Sequence, residues 1–185
     1  MYNIKDITIR EYFDLDDTSE YDTFLHVLKP RNLFCGKVFD TNSITYNEME
    51  VLKKTIKNAD MSNILYIFVL FYKIRGNQEA SQEEQFYNQS IFDLFRVKTF
   101  LQNFLIEKIN LENKMLTGIP DEKMLMVNGY ERLNAVSFLL SKIKLAEQFS
   151  TTPDVVGEWK YNKVFSYLIA NKLYNDVQTD CQKQK

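Results

Sequence analysis

The spacing of apolar positions reads as a succession of helical stripes separated by few breakers. Ile7, Ile9, Tyr12, Phe13 and Leu15 mark a short helix or an extended arm, broken by Asp14, Asp16 and Asp17. Ser19 is placed to cap a helix through Phe24, Leu25 and Leu28, which Pro30 stops. Arg31 to Asp40, with Leu33, Phe34, Val38 and Phe39 around Gly36, predicts irregular chain or a short hairpin. Thr45-Tyr46-Asn47-Glu48 fits a capping box, in which two side chains satisfy orphan backbone donors. The helix behind it carries Met49, Leu52 and Ile56 on one side. Ile64 to Tyr72 is apolar all round and so buried all round. Periodicity does not separate a buried helix from a central strand there. Ser62 ahead and Arg75-Gly76-Asn77 behind resemble helix caps and favour helix.

Asn77 to Gln85 is polar and predicts a surface loop. The next helix starts within Ser90 to Asp93 and meets no breaker before Gly118. Phe95, Phe100, Phe104, Leu105, Leu111 and Met115 give it a wide apolar face over about 27 residues, or roughly 40 Å. Gly118-Ile119-Pro120 forms a corner. A partner helix is predicted from about Asp121 to Phe149, carrying Met124, Leu133, Val136, Leu140 and Ile143. Gly129 lies inside it at a cost of about 1 kcal/mol against Ala, and marks a kink or a close crossing. Two such helices joined by so short a corner make an αα-hairpin. Thr152-Pro153 restarts the chain with a capping hydroxyl and Pro at the first helical position. A last helix carries Tyr161, Val164, Phe165, Leu168 and Ile169, and the chain turns polar from Asn175. The expected fold is all-α, a helical bundle built on a long antiparallel helical hairpin of residues 90–149. Helices at 45–75 and 160–178 would pack it. The expected divisions are an N-terminal arm (1–18), a helical domain (19–178) and a polar C-terminal tail (179–185).

Composition agrees with this picture and narrows the chemistry. Only 5 Gly and 3 Pro occur in 185 residues, too few for the many turns of an all-β domain. Net charge is −2 with signs mixed along the chain, so no basic stripe exists to neutralise phosphates, and nucleic acid is not an expected partner. No basic-then-apolar leader opens the chain, and the longest apolar run falls far short of a membrane helix. Two cysteines, Cys35 and Cys181, suit a reducing cytoplasm better than a disulfide scaffold.

Catalytic candidates are few. The one histidine, His26, sits between Leu25 and Val27 with no supporting motif, and reads as structural or simply exposed. One His and two distant Cys do not make a zinc site. His26 with Cys35 has a feasible spacing for a nucleophile pair and nothing around it to support one. Asp14, Asp16 and Asp17 lack the Gly and Glu of a calcium loop and read as a solvated, helix-capping loop. No glycine-rich phosphate cradle occurs, and Lys53, Lys54 and Lys57 read as a solvated helix face. No catalytic, cofactor-binding or metal residue is assigned, and a non-enzymatic protein is expected.

The aromatic residues carry more information. Fourteen Phe, eleven Tyr and Trp159 exceed the obvious needs of one core. Tyr and Trp are favoured where an apolar body and a polar tip are both useful. Trp159 and Tyr161, between two helices, are either a corner anchor or an exposed hot spot. Tyr12 and Phe13 lie in a terminal segment of the kind that orders on docking. These four are the candidate partner-binding residues.

Thr152-Pro153-Asp154-Val155-Val156-Gly157-Glu158-Trp159-Lys160-Tyr161-Asn162-Lys163-Val164-Phe165 resembles small helical morphogenesis proteins of tailed bacteriophages. There a Ser/Thr-Pro turn, an aliphatic residue, a Trp, an aromatic and Val-Phe recur. Gly129-Tyr130-Glu131-Arg132-Leu133, ahead of a helical pair, is similar to low-GC phage proteins of the crAss-like group. Frequent Asn, Lys, Ile and Tyr, all with AT-rich codons, agree with such a source. The resemblance covers the last third of the chain and implies a virion component: a neck, tail or packaged cargo protein. An assembly chaperone, or a regulator binding a host protein, are its alternatives. It also implies other virion proteins as partners, homo-oligomers, and assembly in the host cytoplasm into the virion.

Overall fold

The computed structural model describes residues 4–57, 67, 72, 79–118, 125–134 and 136–183. Among them every regular element is an α-helix, and extended backbone is confined to three isolated bridges, so the fold is all-α as the stripes predict. The helices are α1 (Ile9–Phe13), α2 (Ser19–Leu25), α3 (Tyr46–Lys57), α4 (Glu79–Tyr87), α5 (Ile91–Leu116), α6 (Gly129–Asn134), α7 (Ser137–Gln148), α8 (Pro153–Gly157) and α9 (Tyr161–Lys183). Within the 64–72 run Ile67 and Tyr72 are helical and buried. The rest of that run, the caps at 62 and 75–77, and the corner at 119–120 lie outside the described residues.

Three expectations change. The helix predicted over 121–149 is divided. Asn128 has φ +50°, a left-handed backbone that Asn tolerates and a right-handed helix does not, so Gly129 opens α6 instead of lying inside a longer helix. A second break follows at Val136, with φ −117° and ψ 5°. The polar segment assigned to a loop forms α4, because Glu, Ala and Gln are intrinsically good helix formers and Phe86 at its end is fully buried. Residues 179–183, assigned to a tail, continue α9, whose exposed end meets no Gly or Pro and carries a Lys172–Asp176 ion pair at 2.5 Å.

The chain forms two compact units of similar length, one from residues 1–39 and 52–107, the other from 40–51 and 108–185. In the first, the N-terminal residues are built in. Ile9 N–H donates to the Gln89 carbonyl at 2.8 Å and Ile91 N–H to the Ile7 carbonyl at 2.9 Å. Ser90 Oγ accepts from Asp93 N–H, capping α5, and donates to the Asp6 carboxylate. Thr8 and Glu11 close a capping box on α1. The hairpin anticipated around Gly36 is a tight turn in which Phe34 and Lys37 exchange both backbone hydrogen bonds at 2.9 Å. Cys35 (φ 49°) and Gly36 (φ 70°) supply the two positive φ angles that a type I′ turn requires. The Asn32 amide braces it, donating to the Phe39 carbonyl and accepting from Phe39 N–H and the Tyr72 hydroxyl. Phe34, Phe39, Tyr72, Phe86 and Phe104 form the aromatic heart of this unit, with ring centroids near 6 Å apart.

The second unit depends on one short pairing. Tyr46 N–H donates to the Trp159 carbonyl at 2.9 Å, and Tyr161 N–H to the Ile44 carbonyl at 2.8 Å. That contact joins the start of α3, capped by the predicted Thr45–Glu48 box, to the start of α9. The predicted Thr152 cap is also present, its hydroxyl accepting from Val155 N–H. Met49, Leu145, Val156, Tyr161 and Val164 fill the interior. Gly157 lies beside the Asn47 side chain, whose amide donates to Glu158 at 2.9 Å and accepts from Lys142 at 3.3 Å. A β-carbon on Gly157 would overlap that amide. Gly157→Ala is therefore expected to lower unfolding free energy by about 1–3 kcal/mol in urea denaturation. Adding Asn47→Ala should restore part of the loss; a double mutant less stable than Gly157→Ala alone would refute the close approach as its cause.

Candidate interaction surface

The four aromatic candidates separate by burial. Tyr12 is interior, 7% exposed, and its hydroxyl donates to the Asp22 carboxylate at 2.5 Å. Thr18 donates to the other oxygen at 2.8 Å. These two bonds, the Tyr12 one first, hold the Asp22 carboxyl below the usual aspartate range. Tyr161 is 1% exposed and stacks on Phe165, and its hydroxyl donates to Glu112 at 2.8 Å. Burial, followed by the adjacent Glu112 charge, raises the Tyr161 pKa and keeps that proton in place. Both tyrosines satisfy their polar tips internally and present nothing to a partner. Phe13 is 49% exposed and meets Tyr12 edge-on.

Trp159 is half-buried at the corner between α8 and α9. Its ring meets Phe149 at 5.4 Å and Tyr167 at 6.1 Å, and Phe149 meets Tyr167 at 4.7 Å. Phe149 is 39% exposed. The exposed Lys163 holds its ammonium 3.9 Å from the Trp159 ring centroid, a close cation–π contact. Three rings and one cation thus meet at the surface of the second unit. The pattern of the chain signals Trp159 and leaves out its neighbours, which come from the end of α7 and the second turn of α9.

Further exposed apolar side chains were not legible beforehand. Leu125, Met126 and Val127 are consecutive and exposed, Met126 at 83%. Leu133, Val136 and Leu139 follow, also exposed. On α9 Leu173, Tyr174 and Val177 are exposed at helical spacing, and every residue from 173 to 182 is exposed. Leu133 and Val136, read from the sequence as part of the apolar face of the 121–149 helix, are among these exposed residues.

His26 ends α2, exposed, its ring edge-on to Phe95 with centroids 6.5 Å apart. Asp17 caps the chain, accepting from Ser19 N–H at 2.9 Å. Among the described residues no three His, Cys, Asp or Glu side chains converge as a metal site, and no helix is long and apolar enough to cross a membrane. Cys35 is half-buried in its turn, and burial pushes its thiol pKa up to about 11, whereas Cys181 is exposed. No protein-family model, curated protein or solved structure matches the chain.

With its pKa raised, Cys35 holds about a hundredfold less thiolate at neutral pH than an ordinary thiol. Labelling with a chromogenic disulfide should show Cys181 reacting first and Cys35 much more slowly, with the two rates converging in denaturant. Equal rates in the folded protein would contradict the burial of Cys35.

Proposed function

We propose that this chain acts by protein–protein contact, as a non-catalytic component of a tailed-phage particle: a neck, tail or packaged cargo protein. The observation that carries the contact reading is the distribution of exposed apolar side chains. Eighteen large ones are exposed among the described residues. Only five, Phe13, Leu15, Val27, Val38 and Ile106, belong to the first unit; the other thirteen belong to the second, of similar length. Scattered exposed apolar residues are ordinary, but a consecutive run with further members close behind in sequence is a surface that water destabilises and a partner relieves. The phage assignment is supported by the resemblance of residues 129–133 and 152–165.

A second reading is an assembly chaperone that binds an apolar client reversibly. A mostly apolar groove of about 530 Å³ on α2, lined by Ile4, Phe24 and Val27 among others, favours it. Mass spectrometry of gradient-purified particles distinguishes the two. The chain should be present in finished particles, and Leu125→Ser/Met126→Ser/Val127→Ser should be left out of them while keeping its helical circular dichroism. Presence in precursors alone would transfer the reading to the chaperone. Absence from both would remove the virion and chaperone readings and leave the host-binding regulator.

A further inference from the structure

We propose that the Phe149–Trp159–Tyr167 cluster with Lys163 is the recognition centre for an acidic–apolar segment of the partner protein. An aliphatic or aromatic side chain of that segment packs on the exposed ring edges, and a neighbouring carboxylate pairs with the Lys163 ammonium. The inference rests on the protein–protein reading above and adds the partner's chemistry.

The cluster is rigidly mounted. The Trp159 carbonyl accepts from Tyr46 N–H at 2.9 Å, and Trp159 N–H donates to the Val156 carbonyl at 3.1 Å. Asn171 on α9 donates to Gln148 at the end of α7 at 2.9 Å, fixing the two segments that carry Tyr167 and Phe149. Aromatic groups held this way lose little freedom on binding, which is what an anchor residue needs.

Charge selects the occupant. Lys160 and Lys163 are both exposed, and neither forms an ion pair among the described residues. The nearest acidic residue in sequence, Glu158, accepts from Asn47. Asp154 and Glu147, also on these segments, pair with neither lysine. An ammonium resting on an indole face keeps its outer side in water, so a carboxylate can join it without displacing the ring. The charge in contact with the rings is the Lys163 ammonium, which a cationic segment would meet as a like charge. A single-stranded nucleic acid also likes rings and cations, but it needs a groove of positive charge along its backbone, and here there are two ammonium groups in a chain of net charge −2.

Trp159 is the one tryptophan of the chain, so its emission reports on this site alone. The probes are a capped peptide alternating Asp or Glu with Leu or Phe, its charge-reversed counterpart with Lys at the acidic positions, and oligo-dT. The acidic peptide should change Trp159 emission saturably, and added salt should weaken its binding. The charge-reversed peptide and oligo-dT should have no effect. With a fluorophore on the peptide, anisotropy should show up to about fivefold weaker binding in Lys163→Ala. Trp159→Ala should weaken it at least about thirtyfold. Lys163→Glu, at an exposed position, should keep the fold and shift preference to the charge-reversed peptide. No binding of the acidic peptide, equal binding of both peptides, or a preference for oligo-dT would overturn the proposal. A chain present in particles but indifferent to the peptides loses this inference alone; a chain absent from particles and precursors loses the virion and chaperone readings, whatever the peptides do.

Discussion

Two backbone hydrogen bonds decide where the second unit puts its aromatic residues. Tyr46 to Trp159 and Tyr161 to Ile44 pair two short segments, from the first and last thirds of the chain, that are otherwise starts of helices. A helix start leaves backbone donors without intrahelical partners, and two of them are satisfied here by the opposite segment. The pairing fixes the corner from which α9 departs. Tyr161 is then committed to the interior, where its hydroxyl reaches Glu112, while Trp159 is left with one ring face available to Lys163. Residues two apart in sequence have opposite fates because of a constraint on the backbone between them.

That difference marks the limit of what the sequence discloses. Three helix starts were legible where a side chain completes the local hydrogen bonding: the Thr45–Glu48 box, the Thr152 cap with Pro153, and Ser90 ahead of α5; the Thr8–Glu11 box of α1 was not read, and Ser19, read as a cap, is the first residue of α2. These are short-range effects, and the residues needed lie within four positions of each other. The break at Asn128 was not legible, since Asn is compatible with both a helix and the left-handed turn it adopts. Nor was α4, because a helix of Glu, Gln and Ala has no apolar period to read, and the buried Phe86 anchors its end. For the site, the sequence pointed to Trp159, which the fold puts half-buried at the corner between α8 and α9. It offered no means of separating Trp159 from Tyr161, or Phe13 from Tyr12. In each pair the buried member is distinguished by a distant acceptor, Glu112 or Asp22, whose proximity only the fold creates.

In the first unit, five aromatic residues, Phe34, Phe39, Tyr72, Phe86 and Phe104, pack together around the Phe34–Lys37 turn, braced by Asn32. Among the described residues, the second unit carries most of the exposed large apolar side chains, and its best-defined surface feature is an aromatic cluster topped by a lysine.

Residues 173–182 of α9 are exposed on every side, so this stretch contributes almost no buried area to the folded state. Its helicity is set by intrinsic propensity and by pairs such as Lys172–Asp176, in the manner of an isolated peptide attached to a folded body. Such a segment melts gradually, without cooperativity, and well below the temperature at which the packed regions unfold. A thermal denaturation curve of this protein therefore begins with a sloping baseline that belongs to one helix end, and its sharp transition reports only on the rest.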